Sequence, residues 1–160
     1  MSERNSMLPE ITGLAAGIIV GAMVMVIGRF LFNNGIVPTY TNNWIENNYD
    51  PAAFVVWVVS AIFAIIWYFV SLKWWRTFTA KESGQAFFLW LLLFALPILS
   101  CVISLFIWGK DGNNSLEALA FFVLILILSI GMFFGYWLST ALSTPSNMCH
   151  IIPLTRLFRR

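Results

Sequence analysis

Charge is what this sequence has least of: Lys, Arg, Asp and Glu together make up 10% of its 160 residues, where a soluble domain carries about a quarter. With 60% hydrophobic residues and a mean hydropathy of +0.84, too little polar surface exists to cover a water-soluble globule. The same figures exclude disorder and a fibrous repeat. Histidine occurs once, at His150, which leaves a membrane haem without the two strong axial ligands it usually needs. His150 beside Cys149 is at most half a metal site. The only other cysteine is Cys101, inside an apolar run, so neither a disulfide scaffold nor a C-x-x-C centre is available. The formal net charge is +2 with the basic residues in separate places, which argues against a nucleic-acid partner.

What the chain does contain is four long apolar runs, at about 11–32, 51–72, 86–108 and 116–138, each 22 or 23 residues. About 20 helical residues cross a hydrocarbon core of roughly 30 Å. The expected fold is therefore all-α: a polytopic membrane protein whose single domain, 11–142, is a four-transmembrane-helix bundle. Residues 1–10 form a short N-terminus, 33–50 a loop, and 143–160 a basic tail. The first run reads as a span rather than a cleaved leader, because Glu3 and Glu10 flank it and no A-x-A site follows. Asp50 before Pro51 reads as the start of the second helix. Thr79 with Glu82, and Asn114 with Glu117, have capping-box spacing, which would start the third helix near Ala80.

Basic residues are retained on the cytoplasmic side of a membrane. Arg4, Lys73, Arg76, Lys81, Arg156, Arg159 and Arg160 make seven on one side, against Arg29 and Lys110 on the other. An N-in/C-in arrangement follows, an integral membrane protein with both termini cytoplasmic. Aromatic residues collect at the two expected interfaces: Trp74, Trp75, Phe78, Tyr136 and Trp137 inside, Tyr40, Trp44, Tyr49 and Trp108 outside. Trp44, Trp74, Trp75, Trp108 and Trp137 are read as interfacial anchors, apolar rings with a polar edge. A pigment or quinone pocket has no ligand residues to support it, so no cofactor is expected, while bound lipid is.

Between the interfaces the runs hold no Asp, Glu, Lys or His, and ionisable groups at that depth usually mark ion pathways. Arg29, near the end of the first run, either snorkels to the headgroups or pairs with an acid such as Glu46 or Asp50. Ser60, Ser71, Ser100, Ser104 and Ser129 have no base beside them, and backbone carbonyls are their expected partners. Pro97 interrupts the third run, with Ser100, Cys101 and Ser104 on the following turns, a hinge or binding niche if it is not packing alone.

Packing motifs are the strongest positive signal. Gly13, Gly17 and Gly21 recur every four residues and Gly28 continues their face, while Gly131 and Gly135 make a second stripe that Ser139 extends. Such faces let another helix approach closely, either another span of the chain or another protein. The loop at 33–50 is rich in Asn with interleaved Tyr40, Trp44 and Tyr49, and residues 113–115 form an N-x-S sequon. In the tail, Ile151, Ile152, Leu157 and Phe158 followed by Arg156, Arg159 and Arg160 suit docking on anionic lipid or an acidic partner. These features give the expectation of a non-catalytic membrane subunit or assembly factor of a larger complex. Its partners would be membrane lipids and other integral membrane proteins or further copies of itself. The alternative is a small oligomeric channel or uncharged-solute facilitator with its pore between protomers.

Overall fold

Each apolar run forms one long helix. The computed structural model describes residues 3–39, 43–75, 82–111, 114–115, 117–145, 148 and 150–155, without the side chains of residues 3–9, 74, 75, 111, 114 and 115. Helix α1 spans Glu3–Asn33, α2 Asp50–Trp75, and α3 Ser83–Trp108. The fourth run is composite: α4, Ala118–Phe133, passes through a π turn, Phe134–Leu138, into α5, Ser139–Ser143. Four stretches of 24, 29, 26 and 26 residues are long and apolar enough to cross a membrane. At 1.5 Å per residue they measure roughly 36–44 Å, so each exceeds a hydrocarbon core of about 30 Å and projects past it.

Several expected boundaries move. Asp50 opens α2 as expected, but in helical geometry rather than as a cap, because Trp44 and a π turn at Ile45–Tyr49 lead straight into it. The wide turn relieves the clash that the Pro51 ring would make with the carbonyl one turn back. The capping box at Asn114 does not form. Asn114 belongs to a two-residue strand, β2 (Asn114–Ser115), paired antiparallel with β1 (Lys110–Asp111), and Glu117 itself takes the N-cap position of α4 without a side-chain cap bond. Glu82 does the same for α3, while Thr79 lies outside the described residues. The small ladder is the one departure from an all-helical chain among the described residues.

The glycine stripes decide how the helices pack. A Cβ on Gly13 would lie 2.8 Å from Leu142, one on Gly21 2.8 Å from Gly135, and one on Gly17 would overlap Ser139. One on Gly131 would overlap Met25, and one on Gly28 would meet Tyr49 and Ile127. Pairs 13/142, 17/139, 21/135, 25/131 and 28/127 run in opposite directions, so α1 and the fourth span lie antiparallel, backbone against backbone. The two stripes expected to recruit another helix are complementary halves of a contact inside the chain. Without side chains in the way, dispersion contacts build up along the whole seam.

The antiparallel seam also sorts the molecule into two ends. Residues near 10–14 and 139–155 share one, the tail end; residues near 29–33, 44–50 and 105–118 share the other, the loop end. Between them, exposed apolar side chains surround the bundle, among them Val26 on α1, Phe54 and Phe69 on α2, Phe88 and Phe106 on α3, and Phe122 on α4. Soluble monomers rarely expose apolar side chains in so continuous a belt.

Candidate functional site at the two polar ends

At the loop end the aromatic residues turn inward. Trp44 is buried, its ring 5.0 Å from Phe32, and its indole N–H donates to the Lys110 carbonyl at 2.7 Å. Asn48 donates its amide to the carbonyls of Trp108, at 3.1 Å, and Lys110. The π turn before α2 is thereby tied to the end of α3 and the strand that follows. Tyr49 is buried too, its hydroxyl donating to the Met25 carbonyl at 2.6 Å in the space that Gly28 leaves open. Beside it, Arg29 Nη2 lies 3.0 Å from Asp50 Oδ2, so the arginine is paired, on the acid whose position made it a candidate, and remains half-exposed.

The tail end is built from indoles and hydroxyls. Trp67 donates to Thr144 Oγ1 at 2.9 Å, Trp90 to Thr140 Oγ1 at 3.1 Å, and Tyr136 Oη to the Trp90 carbonyl at 2.9 Å. The threonines pass their own protons to helix carbonyls, Thr140 to Trp137 and Thr144 to Thr140. Trp90, Phe94 and Tyr136 stack in series, at 5.5 and 5.2 Å between centroids. Past α5 the chain folds back: Met148, Ile151, Ile152 and Thr155 are buried, and Trp137 donates to the Pro153 carbonyl at 3.1 Å. Glu10 is buried at this end. Ser83 and His150 approach to 3.4 Å.

Two expectations are corrected by this arrangement. Trp44 and Trp137 are not interfacial anchors, because both rings are enclosed by other side chains, Trp137 against Phe133 at 4.8 Å. Trp108 is half-buried, and the side chains of Trp74 and Trp75 lie outside what is described. Ile151 and Ile152 are not lipid anchors either, since they complete the core beneath Trp67 and Trp137. Arg156, Arg159 and Arg160, the docking candidates, lie outside the described residues, as does the sequon's Asn113.

The buried hydroxyls are mostly internal fixtures. Ser60 bonds the Val56 carbonyl at 2.7 Å, Ser71 that of Tyr68 at 2.8 Å, Ser100 that of Pro97 at 2.7 Å and Ser139 that of Gly135 at 2.7 Å. Ser104 and Ser143 keep buried hydroxyls without a hydrogen-bond partner among the described residues. No group of three His, Cys, Asp or Glu among those residues could hold a metal ion. What sequence reading missed is the indole–threonine network, and the signal for it is Ser139-Thr140-Ala141-Leu142-Ser143-Thr144: hydroxyls one turn apart, at the end of a span, facing aromatic helices. Comparison with family models, with curated proteins and with solved structures finds no match.

Proposed function

We propose that this protein is a non-catalytic integral membrane subunit or assembly factor, inserted with both termini on the cytoplasmic side and acting through contacts with lipid and with other membrane proteins. The observation that carries the reading is where its polar side chains are used. Indoles of Trp44, Trp57, Trp67, Trp90 and Trp137 all donate to acceptors within the chain, and most buried hydroxyls bond a carbonyl of their own helix. Groups committed to holding the fold are not free to do chemistry on a substrate, so function falls to the outer surface.

On that surface the glycine stripes are occupied, and α3 offers an open face. It meets the bundle along a single seam, Ala86, Trp90, Leu93, Pro97, Cys101 and Ser104, spaced by three and four residues. Phe88, Leu99 and Phe106 point away from that seam and are exposed. A photoreactive residue at Leu99 or Phe106 should crosslink the protein to its partner in cells, and blue-native electrophoresis in mild detergent should show the wild type in a larger species. A wild type that runs only as a monomer, with no adduct from either position, overturns the reading.

A further inference from the structure

The ion pair at the loop end sits beside a groove of about 310 Å³ formed on α1 by Val26, Arg29, Phe30 and Asn33. Its walls change character along the helix. Val26 and Phe30 are apolar and well exposed, Arg29 carries a guanidinium 54% exposed despite its bond to Asp50, and Asn33 adds an exposed amide. From Val26 to Asn33 the helix rises roughly 10 Å. The headgroup layer on one side of a bilayer is about 5–8 Å deep. In a bilayer with the end of α1 at headgroup level, the groove would pass from hydrocarbon to headgroup within its own length.

Arg29 lines the groove, and Asp50, its ion-pair partner, stands beside it. The Arg29 guanidinium meets Asp50 through Nη2, and its five N–H donors are more than that one contact uses. Guanidinium donors in a planar fork suit a phosphate, and Asp50, about a third exposed, suits an ammonium. A purely anionic headgroup would meet Arg29 with Asp50 as a repelling neighbour, whereas a headgroup bearing both charges satisfies the two side chains together. We propose that this groove binds one zwitterionic phospholipid, its phosphate on Arg29, its ammonium toward Asp50 and an acyl chain along Val26 and Phe30. The proposal rests on the chain being embedded in a bilayer and is independent of any partner protein.

The test is native mass spectrometry of the delipidated full chain in detergent with three defined probes: a phosphatidylethanolamine, a phosphatidylglycerol and a diacylglycerol of the same acyl chains. Flotation of the protein with liposomes after a carbonate wash separately establishes insertion, so failure of the membrane reading shows as loss of flotation and failure of the site as loss of selectivity. The wild type should bind phosphatidylethanolamine about tenfold more tightly than diacylglycerol, the scale of one charge-assisted contact, and more tightly than phosphatidylglycerol. Arg29→Gln should erase the preference over diacylglycerol, and Asp50→Asn should reverse the order of the two phospholipids. Val26→Trp fills the groove from an exposed position with the ion pair intact, so it decides the matter even if Arg29→Gln does not fold: it should abolish the tight site. Equal binding of all three probes by the wild type, tighter binding of phosphatidylglycerol, or an undiminished site in Val26→Trp overturns the proposal.

Discussion

A single methyl group on Gly17 would enter the backbone of the fourth span at Ser139, and neither helix can yield without opening the seam from Gly13 to Gly28. Gly84, by contrast, has open space where its Cβ would be. Overpacking a close helix contact costs about 1–3 kcal/mol, while Gly to Ala at an open helical position gains up to about 1 kcal/mol. Gly17→Ala should therefore lower the midpoint of thermal unfolding in detergent, and Gly84→Ala should leave it unchanged or raise it; equal midpoints would mean the seam is not tightly closed in solution. Gly35 differs from both, because its Cβ would meet nothing yet its φ of 67° is left-handed. It lets the chain leave α1 sharply, its N–H bonding the Phe32 carbonyl at 3.1 Å. Gly35→Ala should cost roughly 1–2 kcal/mol through backbone strain alone, and Gly35→Asn less, in the same unfolding measurement.

The elements differ in how firmly they are fixed, and the segment after α5 depends on two indoles. Trp67 holds Thr144 and Trp137 holds the Pro153 carbonyl, with Met148 buried between them in the sequence. Thr144→Val strands the Trp67 N–H in an apolar setting, at a cost of about 1–3 kcal/mol. A cysteine placed at Met148, in a chain with Cys149 changed to Ser, should resist a water-soluble maleimide in the wild-type background and react several-fold faster beside Thr144→Val or Trp137→Phe. Unchanged reactivity would mean the segment is held by its buried Ile151 and Ile152 alone. The four helices were legible from sequence because 20-odd apolar residues in a run admit few other structures. The faces were less so. A glycine stripe announces a close contact without naming its occupant, and an indole near a span end reads alike whether it meets headgroups or a threonine. Trp44 and Trp137 went the second way because acceptors distant in sequence, the Lys110 and Pro153 carbonyls, lie within reach once the chain folds. Arg29 was read more nearly, since its pairing with Asp50 was one of two arrangements the cost of a lone charge allows.

For the molecule as a whole, the antiparallel seam puts the first and fourth spans in opposite directions, and an even number of spans returns the chain to the end where it started. The seam fixes which residues lie together; it says nothing of which end faces the cytoplasm. That choice rests on the sequence, with seven basic residues in the N-terminus, around the connection between the second and third runs and in the tail, against Arg29 and Lys110. The asymmetry is sharper than the count, because Arg29 is paired with Asp50 and its charge is balanced there. Both exposed Asn43, before the π turn, and exposed His150, after α5, can carry a reporter cysteine without disturbing a buried contact. In sealed cells expressing chains with Cys101 and Cys149 changed to Ser, a membrane-impermeant maleimide should label Asn43→Cys and spare His150→Cys until the membrane is opened. Labelling of His150→Cys from outside, with Asn43→Cys protected, would invert the molecule and place the Arg29–Asp50 groove in the cytoplasmic leaflet. Labelling of both from outside would mean that the four helices do not cross the bilayer as one bundle.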